Sequence, residues 1–414
     1  MLRELPPTAG LPLELSDLFS SSRPEDLCNG LARLLGVPSV QIECSGTAAL
    51  IIALTYLKST SSRRKVVVPG YTCPLVAMAV AQSGLETVVC DTKADSYDFD
   101  EDELARCVDS ETLAVIPTHI GGLPADLDAC LRIARTAGAF IIEDAAQALG
   151  ATYGGRPAGT IGDIGMFSLT RGKGLSIYEG GFLVAKDGGI RHGLEQTARR
   201  LAAKNTLTNF VRTCQLIAFT AIYNPAGLAL MYGPYFRHLL KKGKYDEALG
   251  DLFEPPVPIV QVAGFQLRAG AAALKRLPEF LCHNRARGRS RSRVLSAIRG
   301  LHVMEERPGD EGSWPFITVV FADAQICRKA LDKLWSSGMG VTKLFGHALT
   351  HYDYLRPLLG LTGSAENAES LAARSLTITN SQWLSDAEFE RICSTLQDAC
   401  CRTQPVNLHQ HATL

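Results

Sequence analysis

The sequence predicts an α/β protein: a mainly parallel sheet with helices on both faces, followed by a smaller α+β C-terminal domain. Three observations carry this. Short β-rich runs alternate with helical patterns from about residue 38 to residue 190, the signature of strand–helix–strand units. Several of those runs are near-continuous apolar stretches, as in strands buried on both faces. From about Phe265 the regular alternation gives way to a mixed pattern.

In chain order the strand candidates are VVVP at Val66, TVVCD at Thr87, LAVIP at Leu113, AFIIED at Ala139, GMFSL at Gly165 and GFLVA at Gly181. Helical patterns separate several of them, such as AALIIALTYL after Thr47 and DLDACLRIARTAG after Ala125. Residues 204–258 differ. They hold the apolar run LIAFTAIYNPAGLALMY from Leu216 to Tyr232, with Arg212 before it and Arg237, His238, Lys241, Lys242 and Lys244 after it. Beyond lie a strand pattern in WPFITVVF, a helix around Ala324–Ser337 and a last helix around Asp386–Leu396. The expected organisation is a major domain at 1–203, an apolar helical insert at 204–258 and a smaller domain at 259–414.

Composition narrows the function classes. The 414 residues suffice for two domains. Lysine plus arginine equals aspartate plus glutamate at 42 each, so no net field draws the chain to nucleic acid or to an anionic membrane, although local charge can still matter. The basic stretch RARGRSRSR, Arg285–Arg293, adjoins a helical pattern and reads as a solvated helix face. Twelve cysteines include no CxxC pair, so neither a metal site nor a redox dithiol is expected. Cysteines in apolar runs, such as Cys44 and Cys90, read as buried thiols of a reducing cytoplasm. The opening MLRELPPTAGLPLELSD has no apolar core of a secretory leader.

Three motifs carry chemistry. Ser45-Gly46-Thr47 precedes an apolar helix, and a helix N-terminus presents free amides that bind phosphate. Asp144 ends a buried strand, where ligand sites of parallel sheets lie. A carboxylate there can hold a proton on a pyridine nitrogen, or merely cap the following helix. FSLTRGKGLSIYEGG, Phe167–Gly181, places Lys173 in a glycine-rich loop. A lysine amine becomes nucleophilic where burial or a nearby cation lowers its pKa.

Together these motifs resemble the nucleotide-sugar aminotransferases of the DegT/DnrJ/StrS type, which are fold-type I enzymes of pyridoxal 5′-phosphate (PLP). The matching segments are Ser45–Thr47, Val68–Thr72, His119–Asp128, Glu143–Gly154, and Ser168, Lys173 and Glu179 at the family's spacing. The resemblance runs from about Leu27 to Leu396 and is weakest over 204–264. It implies a seven-stranded-type sheet and PLP held covalently on Lys173. It implies Asp144 at the ring nitrogen, Gln147 at the phenolic oxygen, and Ser168 with Gly46 and Thr47 at the phosphate. It further implies amino transfer from glutamate to a keto-sugar nucleotide, in a homodimer. Lys173 and Asp144 are the expected catalytic pair, while His119 and Glu179 read as structural. A dehydratase of the same family would replace the lysine by histidine, and a catalytically silent regulatory paralogue would not need all three of Lys173, Asp144 and Gln147.

Two positions depart from the family pattern. Cys73 stands where an aromatic ring usually covers the cofactor, and an extended backbone would point Tyr71 to the opposite face. The stretch VQVAGFQLRAG lacks the segment that usually reaches the partner subunit's phosphate. The region 209–244 is short for a membrane span and is interrupted by Asn224-Pro225; it fits a weak membrane-surface contact or, the favoured reading, a helical hairpin buried at a subunit interface or over the active site.

Overall fold

The computed structural model describes residues 3–360 and 365–401. The outermost ends of the expected first and last domains, residues 1–2 and 402–414, lie outside them. The strands are β1 (Gln41–Glu43), β2 (Lys65–Pro69), β3 (Glu86–Cys90), β4 (Thr112–Val115), β5 (Phe140–Asp144), β6 (Thr152–Tyr153), β7 (Arg156–Pro157), β8 (Ile164–Ser168), β9 (Gly181–Val184), β10 (Leu301–Val303), β11 (Phe316–Phe321), β12 (Val341–Thr342) and β13 (Ser375–Thr379).

Seven of these form the main sheet, in the order β1-β9-β8-β5-β4-β2-β3. Neighbours pair in parallel from β8 across to β3, while β9 runs antiparallel to both β8 and β1. Strands β4, β8 and β9 are buried at every position, which explains their continuous apolar runs. Helices cover both faces. The helix Gly46–Thr60 is apolar almost all round because it is sandwiched, touching β8 and β9 as well as the helices Pro74–Gln82 and Gly188–Leu201. Each fully buried leucine or isoleucine in it contributes about 1.5–3 kcal/mol, so its glycine and threonine start is tolerated.

A second, antiparallel sheet has the order β10-β11-β13-β12. It shares a core with the helices Ala324–Leu334 and Asp386–Cys401. The helix Gly264–Leu274, just past the expected boundary at 259, instead packs on Pro24–Leu35 and joins the core beside β8 and β9. Residues 204–258 form the helices Thr206–Ile222, Pro225–Met231, Gly233–Lys241 and Tyr245–Leu249.

The arginine-rich stretch is a solvated face only in part: Arg293 is exposed, while Arg285, Arg287 and Arg291 are engaged within the fold. It lies in the helix Leu277–Ser296 between the two sheets. Arg285 donates to the carbonyls of Gly150 (2.8 Å) and Gly312 (3.0 Å). Arg287 donates to the Asn380 carbonyl (2.9 Å), and buried Arg291 to that of Leu384 (2.6 Å). The guanidinium groups satisfy carbonyls of distant segments, partners that charge patterning along one helix does not reveal.

Candidate active site

The strand ends position the site. Asp144 is the last residue of β5 and Ser168 the last of β8, while Thr72 and Thr118 follow β2 and β4. These four adjacent strands run parallel, so their carboxyl ends open on one side. There a cavity of about 400 Å³ is lined by Gly46, Thr47, Asp144, Gln147, Ser168 and Lys173. Every residue expected from the sequence at the site is therefore brought to one place.

At one end stands the N-terminus of the helix Gly46–Thr60. The Ser45 side chain accepts from the Ala48 N–H (3.0 Å). Gly46 and Thr47 carry first-turn amides that a helix cannot pair internally. A Cβ at Gly46 would lie 3.3 Å from the Ser168 Cβ, and one at Gly181 would lie 2.4 Å from the Gly46 nitrogen. The glycine at 181 thus lets β9 press against the helix start and keeps Ser168 beside it. The Ser168 and Thr170 hydroxyls are 2.8 Å apart.

Successive strand residues point to opposite faces, and β5 uses this to separate two carboxylates. Glu143 is fully buried away from the cavity. It accepts from the His119 Nε2–H (3.0 Å) and from the amides of Gly159 (2.8 Å), Ile161 (2.5 Å) and Gly162 (2.6 Å). His119 Nδ1 accepts from the Ala125 N–H (2.8 Å), which leaves the proton on Nε2. Burial acts to raise the Glu143 carboxyl, but the His119 hydrogen bond and these amides hold it below its ordinary value. Asp144 lines the cavity, and among the described residues its carboxyl accepts only the Ala146 N–H (3.0 Å). Burial raises its pKa, against that amide and the positive charge of Lys173.

Lys173 sits in the loop after β8, and among the described residues no side chain or carbonyl pairs with its Nζ. Burial lowers its pKa, against Cys73 and Asp144. The loop is braced by the N-terminal segment. The Thr8 hydroxyl donates to the Gly172 carbonyl (2.8 Å), and the Leu11 N–H to the Gly174 carbonyl (3.1 Å). Gly172 has φ +75° and a Cβ there would meet the Thr8 hydroxyl at 2.3 Å, so only glycine fits. Gln147 Oε1 accepts from the Gly121 N–H (2.8 Å), leaving its amino group as a donor toward the cavity.

Cys73 forms part of the wall, its thiol pushed up to about 12 by burial. Tyr71 points away into the core, stacked on Tyr97 at 5.9 Å and 6°. Phe345, from the C-terminal part, is the aromatic residue on the wall. The motifs also missed Arg212. It reaches the cavity from the insert helix Thr206–Ile222, buried, and pairs with Glu179 at 2.9 Å. Only its place beside the apolar run hinted at it.

The sheet order, with its single reversed strand, is that of the fold-type I architecture. A putative sugar aminotransferase of Streptococcus pneumoniae, solved in its PLP form, superposes with a TM-score of 0.74. It covers 97% of this chain and 100% of its own at 18% identity, a likeness of fold. Residues 19–209 match the model of the DegT/DnrJ/EryC1/StrS aminotransferase family. Among curated relatives, the 3-amino-5-hydroxybenzoate synthase of Amycolatopsis mediterranei is 35% identical over 35% of this chain and 37% of its own length. The dTDP-4-dehydro-2,3,6-trideoxy-D-glucose 4-aminotransferase of Saccharopolyspora spinosa is 27% identical over 89% of this chain and 86% of its own. The matched stretch spans only about a third of the length of the first curated relatives, 28% to 37%.

Proposed function

We propose that the protein is a PLP-dependent aminotransferase. It moves an amino group from an amino-acid donor, glutamate by resemblance, to a ketone, most readily a nucleotide-linked keto-sugar. The observation that carries this is a half-buried lysine amine without a partner among the described residues and a buried, nearly unpaired carboxylate, in one cavity with a helix N-terminus. Each otherwise costs folding free energy, and PLP matches them group by group. The amides of Gly46 and Thr47 and the Ser168 hydroxyl suit its phosphate. Asp144 suits its ring nitrogen, the Gln147 amino group its phenolic oxygen and the Lys173 amine its aldehyde carbon.

When bound, PLP supplies an electron sink for the substrate's Cα–H bond. The protein does the rest. Asp144, on the low-dielectric floor, holds a proton at the ring nitrogen. Lys173 Nζ would hold the cofactor and, once free, would move the proton at the donor's Cα. The desolvation that lowers its pKa favours the neutral, nucleophilic amine. Arg212 offers the donor's carboxylate a cation in exchange for Glu179. The names of the relatives, a 4-amino-sugar enzyme and an aminobenzoate synthase, support amination of a ring ketone. We place the enzyme in the cytoplasm, as a homodimer of chains organised as 1–203, 204–258 and 259–414.

Incubation with ¹⁵N-glutamate and a panel of nucleotide-linked keto-sugars, read by mass spectrometry, tests the reading. Label in an amino-sugar product is expected. Deoxygenated, unlabelled product would replace amino transfer by dehydration, and no change with any common donor would mean a silent paralogue.

A further inference from the structure

The segment from Gln196 to Tyr245 contains eight lysines and arginines and no aspartate or glutamate, within a chain whose charges balance overall. Four of the eight are neutralised within the chain, Arg199 by Glu195, Arg212 by Glu179, Arg237 by Glu4 and Lys244 by Glu247. Arg200, Lys204, Lys241 and Lys242 are exposed or partly exposed and have no ion pair among the described residues. Arg200 and Lys204 precede the helix Thr206–Ile222, and the two lysines follow the helices Pro225–Met231 and Gly233–Lys241.

The helix between them is apolar on both sides. Its inner side buries Leu216 and Phe219 and carries Arg212 to the cavity wall. Its outer side exposes Leu207, Phe210, Val211, Ile217 and Ile222, at helical spacing. Phe210 is 66% exposed, and Leu230 on the next helix is 76% exposed. The short helix Leu15–Leu18 packs alongside, adding Leu15 and Phe19, the latter 86% exposed. Its acidic neighbours Glu14 and Asp17 are paired with Arg276. Soluble surfaces rarely keep so many large apolar side chains together without a partner. Among the described residues no single helix is long and apolar enough to cross a membrane, and the pair Thr206–Ile222 and Pro225–Met231 is bent by 118°.

We propose that this face docks on an anionic lipid surface, with Phe19, Leu207, Phe210 and Leu230 entering the interface and Arg200, Lys204, Lys241 and Lys242 drawn to the headgroups. A stripe of large apolar residues between unpaired cations is the composition of an interfacial helix. A second copy of the chain fits less well. A two-fold interface sets a patch against itself, and this one would oppose its own cations with no acid to answer them. Docked, the helix lies between the lipid and the cavity, with Arg212 on its inner side. The inference does not depend on the catalytic reading.

The test is flotation of the full-length holoprotein with vesicles of phosphatidylcholine alone or of equal parts phosphatidylcholine and phosphatidylglycerol. Binding to the anionic vesicles only, weakened by salt, is expected. Lys241→Glu with Lys242→Glu should weaken it at least on the order of 30-fold, counting only the two lost lysines. Phe210→Trp should show a blue-shifted emission on those vesicles, quenched by brominated lipid, which attraction of charges alone would not produce. The folding of each variant is checked by circular dichroism and its thermal midpoint. No binding to either vesicle, or an unshifted tryptophan, would overturn the proposal. So would a dimer in solution that dissociates when Leu207 and Phe210 become serine, which would assign the face to a second copy.

Discussion

Glu143 and Asp144 are neighbours on one strand and have opposite fates. Glu143 faces inward, and four donors, the His119 ring and three amides, answer its charge. Asp144 faces the cavity with one amide. The first arrangement spends a carboxylate on holding the 159–162 turn against β5. The second leaves a carboxylate poised for something the protein does not itself contain. Lys173 is poised in the same sense, half-buried on the cavity wall yet without a partner for its amine among the described residues. Saturated buried polar groups stabilise, and unsaturated ones cost stability unless a ligand completes them. The difference between adjacent residues thus separates scaffold from chemistry.

The largest expected effect falls on the scaffold side. Glu143→Ala strands four donors in the interior and should cost about 3–5 kcal/mol of stability, read as a lower midpoint in urea. The half-reaction rate of the molecules that stay folded should hardly change. Asp144→Ala should do the reverse. The glutamate half-reaction should slow by roughly 10²–10³, while the midpoint stays level or rises. Equal losses of rate in both variants would erase the distinction.

Glu43 sharpens the comparison as a third case. It is buried at the end of β1, off the cavity wall, with one donor, the Gln41 amide (2.7 Å). Burial, against that one hydrogen bond, raises its pKa from 4.5 to about 7. A raised folded-state value favours folding fully below the unfolded pKa, and the benefit is lost as pH rises from about 4.5 through 7. Glu43→Gln should therefore raise the melting temperature near or above neutral pH, by at most about 3 kcal/mol of stability, and do little in acid. A gain that is the same at all pH values would place the cause elsewhere.

Much of this was legible in the sequence because the main sheet is built from local units. Strand and motif are contiguous, so Asp144 and Lys173 could be placed from the runs beside them, and Gln147 and Ser168 through the family resemblance that those motifs carry. Ser45-Gly46-Thr47 could be placed because a capped helix start is a local event. Residues delivered from afar could not be seen this way. Arg212 comes from an apolar helix whose sequence gives no sign of which side faces the cavity. Phe345 arrives from the C-terminal part, and no spacing links it to Cys73. Arg285, Arg287 and Arg291 of the helix Leu277–Ser296 read as solvated because their partners include backbone carbonyls at 150, 312, 380 and 384, which no charge pattern reveals. Alternation along β5 was visible, but which face of Glu143-Asp144 met the cavity depended on the sheet order.

The central claim is that Lys173 is the amine the site leaves open for its cofactor. Borohydride reduction of the PLP-loaded, full-length protein, followed by digestion and mass spectrometry, tests it directly. The account predicts a pyridoxyl phosphate adduct on the peptide carrying Lys173 and on no other lysine, in the wild type and in folded Glu143→Ala alike. An adduct on a different lysine, or no adduct in protein that demonstrably binds PLP, would contradict it.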